Sequence, residues 1–145
     1  MATGEIIMSN GINSVTMILP DLPISKNKLY GPEPRTIHGN RVTWGPTLEA
    51  RRWRSGMQRY VKPLAIAATS TVAWDLHYYF NRYLKDGCTW RKVDVSNFID
   101  WTIDTVTMKQ EWDDYLLSRL VVTFSHDADR PRVAIRLTEI VNGKH

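Results

Sequence analysis

Apolar and polar positions alternate along Ser118–Ser125 and Arg132–Ile140 with the period of half-buried strands, and the polar connector His126–Pro131 between them predicts a hairpin. Thr69–Phe80 is crowded with β-branched and aromatic residues (Thr71, Val72, Trp74, Tyr78, Tyr79 and Phe80), which predicts a buried strand. A shorter β-branched run, Ser14–Leu19, ends at Pro20 as a strand entering a loop does. The period changes to that of a helix from about Val95 to Lys109. There Val95, Phe98, Ile99, Thr102, Ile103 and Val106 form an apolar stripe, and Asn97, Asp100 and Asp104 fall on the opposite side. A second helix is predicted from a first turn at Pro46 to about Lys62, where Pro63 stops it. Leu48, Trp53, Met57, Tyr60 and Val61 would face inward and Arg51, Arg52, Arg54, Arg59 and Lys62 largely outward.

The remaining stretches show no sustained period. Residues 1–13 read as a loose, flexible tail. Prolines 20, 23, 32 and 34, with Gly31 and Gly39, predict an irregular loop over 20–40, long enough to suspect a function. Arg41–Trp44 is a brief strand at most, and Asn81–Thr89, with Asp86-Gly87, reads as a loop. The expected architecture is one small α/β domain over residues 14–145, an α+β mixed sheet with flanking helices, without internal repeats. At 145 residues such a domain buries roughly 70% of its unfolded surface around one core.

Composition narrows the function classes. Hydrophobic residues at 43% and charged residues at 23% are ordinary globular usage. The longest apolar stretch, near Ala65–Ala73, is broken by Thr69, Ser70 and Thr71, far short of the roughly 20 residues a bilayer span needs. The N-terminal residues lack the basic and long apolar regions of a secretory signal, so a cytoplasmic chain with no membrane partner is expected. Cys88 is the sole cysteine, which excludes an intramolecular disulfide and any zinc site built on several cysteines, and leaves oxygen and nitrogen as metal ligands. A net charge of +4 and a pI near 9.3 suit an anionic partner such as nucleic acid. No glycine-rich phosphate loop is present, so no nucleotide cofactor is expected. His38, His77, His126 and His145 show no metal-ligand spacing and read as structural or surface residues, and Cys88 as a buried or incidental thiol.

The chemistry concentrates in two acidic points flanking the helix expected over Val95–Lys109. Arg91-Lys92-Val93-Asp94-Val95-Ser96-Asn97-Phe98 leads a basic approach to a carboxylate at a helix start, and Trp112-Asp113-Asp114 follows about 20 residues later. Magnesium binds through one or two carboxylates and keeps waters for substrate phosphates to displace, so Asp94 and Asp114 suffice as a minimal pair. Asp94 equally fits a helix N-cap, which satisfies orphan N–H groups, and Asp113-Asp114 fits a solvated turn before a strand. Arg91 and Lys92 suit either a solvated basic loop or the phosphate beside a cut. The arginines of the basic helix and Lys62 are candidate DNA backbone contacts or a solvated face. Trp44, Trp53 and Trp90 fit either core packing or stacking on unpaired bases.

Leu19-Pro20-Asp21-Leu22-Pro23-Ile24-Ser25-Lys26-Asn27-Lys28-Leu29-Tyr30 resembles the proline-rich Ser-x-Asn opening of the RusA family of Holliday-junction resolvases. Lys92–Phe98 resembles that family's Asp-x-Asp-Asn-Leu motif and Trp112-Asp113-Asp114 its downstream Asp-Asp, in family order. The likeness spans roughly Ser14–Ile140, with these three motifs its specific part. It implies a RusA-like fold and a homodimeric, magnesium-dependent endonuclease, with manganese a possible substitute. Such an enzyme binds four-way DNA junctions and nicks two opposing strands symmetrically in recombination and repair, in a bacterium or phage. Asp94 matches the first essential carboxylate, Asp114 the last, Asn97 the conserved Asn and Asp113 the first residue of the Asp pair. Lys26, Asn27 and Lys28 lie where the family's N-terminal loop approaches DNA. Ser96 stands where the commonest pattern has a second carboxylate, and a serine hydroxyl there can hold a metal-bound water. Asp100 stands where a catalytic-site lysine is often found. These two departures open a rival reading, a non-catalytic protein that binds branched DNA through its basic surface alone.

Overall fold

The computed structural model describes residues 7–9, 11–23, 30–38, 41–93 and 95–141, with the backbone path alone for 7–9, 30–38 and 41–45. Ile7–Ser9 (β1) doubles back into Ile12–Leu19 (β2), with Ser9 opposite Ile12. The turn requires Gly11, whose φ of 77° lies in the region that side chains with a Cβ disfavour. The tail expected over residues 1–13 therefore contains a strand. Tyr30–His38 (β3) and Arg41–Pro46 (β4) pair antiparallel as a separate ribbon, which corrects the irregular loop expected through residue 40. Its register breaks between Pro32 and Ile37, and prolines, which donate no ladder hydrogen bond, are tolerated in strands at such irregular or edge positions.

Pro46 closes β4 rather than opening a helix. Thr47 is the cap, its hydroxyl accepting from Ala50 N at 3.1 Å, and α1 runs Leu48–Met57 before a 3-10 turn at Gln58–Tyr60. Trp53 and Val61 are buried as their spacing predicts, but Leu48 and Tyr60 are exposed. The tightened last turn and the short helix rotate both ends away from the apolar face.

Thr71–Phe80 (β5) is an interior strand of a five-stranded mixed sheet. After it come Val95–Thr107 (α2), a 3-10 turn at Asp114–Leu116, Leu117–His126 (β6) and Arg132–Ile140 (β7), and the spatial order is β1-β2-β7-β5-β6. β6 and β7 are thus not the hairpin their adjacency suggests. β7 lies antiparallel between β2 and β5, while β6 pairs parallel with the far edge of β5. The connection from β5 through α2 to β6 supplies the long crossover that parallel strands need.

Alternation then builds the core. Val15, Met17 and Leu19 of β2, Val133, Ile135 and Leu137 of β7, and Val72, Trp74, Leu76, Tyr78 and Phe80 of β5 are all buried. Alternate side chains share a face, so these make one apolar surface. Phe98, Trp101 and Val106 of α2 join the same cluster. Tyr78 and Phe98 stack at 5.7 Å, and Phe80 meets Phe98 edge-on at 5.8 Å. Truncating a buried aromatic here should cost about 3–5 kcal/mol. The helix threonines are kept from competing with the backbone by bonding back one turn, Thr102 Oγ1 to Phe98 O at 2.6 Å and Thr105 Oγ1 to Trp101 O at 2.7 Å. The result is a single small α+β domain, and among its described residues no helix is long and apolar enough to cross a membrane.

Candidate functional site

The segment after α2 is folded back onto the segment after α1 by a set of side-chain clamps. Gln110 Nε2 donates to Lys62 O at 3.0 Å while its Oε1 accepts from Leu64 N at 2.8 Å, and Trp112 Nε1 donates to Leu64 O at 2.8 Å. Gln58 Nε2 donates to Thr105 O at 2.7 Å, and Lys109 Nζ to Gln58 O. Trp112 also meets buried Trp74 edge-on at 6.1 Å. With Trp112 pinned in this way, the next two residues are held at the surface beside α2. Asp113 caps the 3-10 turn, its Oδ1 accepting from Asp114 N at 2.8 Å.

The clamps create a shallow cleft of about 340 Å³ lined by Arg54, Asp104, Thr107, Met108, Asp113 and Asp114. Asp104, which periodicity alone assigns to the solvent side of the helix, thereby joins the acidic pair. Crowding by protein atoms pushes its carboxyl above the ordinary aspartate value, the negative charges of Asp114 and then Asp100 push it further, and Arg54 partly opposes them. Asp100 and Asp104 are also an i,i+4 pair of like charge, an arrangement that weakens a helix. The three cleft carboxylates do not meet at a point. Among the described residues no group of three or more His, Cys, Asp or Glu is arranged to hold a metal. Asp104, Asp113 and Asp114 thus line the cleft as separate exposed carboxylates.

The other expected site residues distribute as follows. Asp94, Lys26, Asn27 and Lys28 lie outside the described residues, and so do the side chains of Trp44 and His38. Ser96 is exposed in the first turn of α2, and neither it nor Asn97 lines the cleft. Asn97 is half-buried, and its Nδ2 has no hydrogen-bond partner among the described residues. Val95 opens α2 nine residues before Asp104, roughly 14 Å of helix rise away. The acidic features thus spread along one helix, with the cleft at its later half.

The basic helix divides. Arg54 turns into the acidic cleft and its guanidinium also lies 4.9 Å from the Trp101 ring centroid, so it serves the cleft rather than an outer face. Arg52 is exposed and Arg51 half-buried. Arg59 and Lys62 line a different, larger hollow of about 800 Å³ with Thr16, Ile18, Asp75 and Val121. Arg91 and Lys92 are exposed, with Arg91 Nη1 donating to Asn81 O at 2.7 Å. Trp53 is buried and Trp90 is 57% exposed. His77 is structural, its ring nitrogens engaging Ser125 Oγ at 2.7 Å and Thr123 Oγ1 at 2.6 Å. Cys88 is exposed rather than buried.

Two features escaped the sequence. Asp104 carried one signal, its place on the same helix face as Asp100, but its partnership with Asp114 depends on the clamps. Asn81–Thr89, expected as a loop, is drawn into a hairpin in which Tyr83 bridges Trp90. The chain matches no protein-family model and no curated protein. The likeness to the RusA family accordingly rests on the three motifs.

Proposed function

We propose that this chain is a magnesium-dependent endonuclease that resolves four-way DNA junctions by paired symmetric nicks, acting as a homodimer in the cytoplasm. The observation that carries the reading is the cleft in which Asp104 and Asp114 crowd like charge beside Arg54. A surface that holds carboxylates together against their repulsion is suited to a cation, and a basic chain bringing that cation to DNA is suited to phosphodiester chemistry.

The cleft carboxylates match the group in donor type, although they form no three-ligand cluster among the described residues. Asp104 and Asp114 would hold the ion in the cleft, with Asp113 at the rim, whereas the resemblance instead makes Asp94, before the start of α2, a ligand. Bound there, magnesium or manganese would supply Lewis acidity toward the scissile phosphate and the attacking water. The protein's own part is positional. Trp112 and Gln110 fix the acidic pair against the sheet, Arg54 orients and balances the carboxylates, and exposed Arg52, Arg91 and Lys92 meet the DNA backbone. A symmetric junction requires two like cuts, which a two-fold dimer supplies by presenting one site twice.

The test incubates purified protein with a labelled four-way junction and with linear duplex, with and without magnesium, alongside Asp114→Asn. Paired nicks near the crossover that need the metal and vanish in the variant are expected. Junction binding without nicks in magnesium or manganese would replace this reading with that of a binding protein whose site has decayed at Ser96 and Asp100. Equal, metal-independent behaviour on junction and duplex would remove both.

A further inference from the structure

Four of the tryptophans are used in the interior. Trp74, Trp101 and Trp53 are 0%, 3% and 8% exposed, and Trp112 is half-buried with its indole N–H bonded. Trp90 is 57% exposed, an unusual setting for the side chain with the most apolar area to hide.

Its surroundings are ordered rather than loose. Arg91 N bonds Arg82 O at 2.8 Å and Leu84 N bonds Thr89 O at 2.8 Å, closing a short hairpin. At its tip Asp86 accepts from Cys88 N at 3.0 Å and Thr89 N at 2.8 Å as well as from the Thr89 hydroxyl, and these bonds hold its carboxyl at about 2. Gly87 takes the positive φ of 77° that the tip requires. Trp90 stacks on Tyr83 with ring centroids 4.8 Å apart, and Tyr83 leans on His126 at 4.6 Å. The Arg82 guanidinium lies 4.7 Å from the Trp90 ring and 5.7 Å from that of Phe124, itself packed against Tyr78 of the core. The indole is therefore displayed on a rigid mount braced by the aromatic core, with cations on either side of it in sequence.

We propose that Trp90 is a stacking platform for an unpaired nucleobase, with Arg82, Arg91 and Lys92 meeting the phosphates of the same strand. Aromatic faces interleaved with cations are how proteins hold single-stranded nucleic acid, since every base has a π-face and every linkage a charge. A folded duplex hides its base faces, so the platform selects strands opened at a branch point. The inference deepens the junction-nuclease reading and rests on its claim that the ligand is DNA.

Binding is measured with the full chain in EDTA, where no cleavage occurs, by anisotropy of a single-stranded oligonucleotide, a four-way junction and a linear duplex. A second set of oligonucleotides carries 2-aminopurine at an unpaired position, whose fluorescence falls on stacking. Trp90→Ala should bind the single strand and the junction about tenfold more weakly and leave duplex affinity within about twofold. Trp90→Phe should retain most affinity and the quench, which Trp90→Ala should lose. Unchanged single-strand affinity and quench in Trp90→Ala, or an equal loss on all three ligands, would overturn the platform. Those results leave metal-dependent cleavage by the wild type as it is. Conversely, the expected Trp90 effect in a protein that never nicks a junction would overturn the nuclease reading and leave the platform standing.

Discussion

Two carboxylates of this chain meet opposite surroundings. Glu139, near the end of β7, is surrounded by donors: Ser70 Oγ at 2.6 Å, Ala67 N at 2.8 Å and Asn13 Nδ2 at 3.1 Å. Burial alone would push its carboxyl up, but these bonds together hold it below the ordinary glutamate value. Asp104 is crowded by protein atoms, with Asp114 and Asp100 adding like charge, and stands above its ordinary value. One site uses a charge to fasten the loop before β5 to the sheet, so the charge stabilises the fold. The other accumulates charge without local compensation beyond Arg54, which the fold alone gives no reason to do. A cation in the cleft, as the proposed function has it, would relieve that repulsion.

Substituting Asp104 should separate the two cases most sharply. A raised folded-state value means that Asp104 adds stability below the unfolded value near about 3.9, and that this is lost as pH rises through the raised value. At neutral pH its ionised form is therefore a burden on the fold. Asp104→Asn should leave the Tm unchanged or higher, while metal-dependent junction cleavage drops by about a hundredfold or more, because even partners of metal ligands cost up to that much. Magnesium should raise the wild-type Tm by mass action and not that of the variant. A lower Tm with cleavage intact would make Asp104 an ordinary structural residue.

Glu139 should behave in the reverse way. Its depressed value means that stability is present above the unfolded value near about 4.3 and is lost as pH falls through the folded value. Glu139→Ala should cost about 1–2 kcal/mol, since charge-assisted bonds at a half-exposed site contribute modestly. The difference between variant and wild type should shrink as the pH is lowered through that range. Thermal melts from neutral to acidic pH check this, and a difference that stays constant with pH would show that packing, not charge, fastens the loop.

What the sequence conveyed follows the same division between local and non-local causes. β5 and α2 were legible because their signals, a β-branched aromatic run and a 3.6-residue stripe, are contained within the element. The proline-bearing ribbon β3–β4 was not, since proline's penalty in a strand disappears at irregular or edge positions. Nor was the order of β6 and β7. Both alternate correctly, but it is β5, some 40 residues earlier, that inserts between them and has both its hydrogen-bonding edges paired. At the candidate site, Asp113 and Asp114 stood out by charge and motif. Asp104 did not, because its meeting with Asp114 is made by Gln110 and Trp112 bonding to residues 62–64, contacts across 46 and 48 positions of the chain. The Trp90 hairpin was hidden in turn residues whose closure depends on the Tyr83 bridge.

Asn97 gives the finest version of the contrast, because it carries no charge. It lies in the first turn of α2, three residues after Asp94, and its Nδ2 is buried without a partner among the described residues. A buried donor left unpaired costs the fold its desolvation, commonly about 1–3 kcal/mol, so truncation need not destabilise. Asn97→Ala should therefore melt within about a degree or two of the wild type, the lost side-chain packing and the relieved donor offsetting each other. Cleavage should fall about tenfold, the low end for a group that supports a metal ligand, and the loss should be smaller when magnesium is raised to saturation. A loss of cleavage matched by a fall in Tm would instead assign Asn97 to the fold. Loss of cleavage at unchanged Tm would join it to Asp104 as a residue whose local arrangement is explained by a ligand rather than by stability.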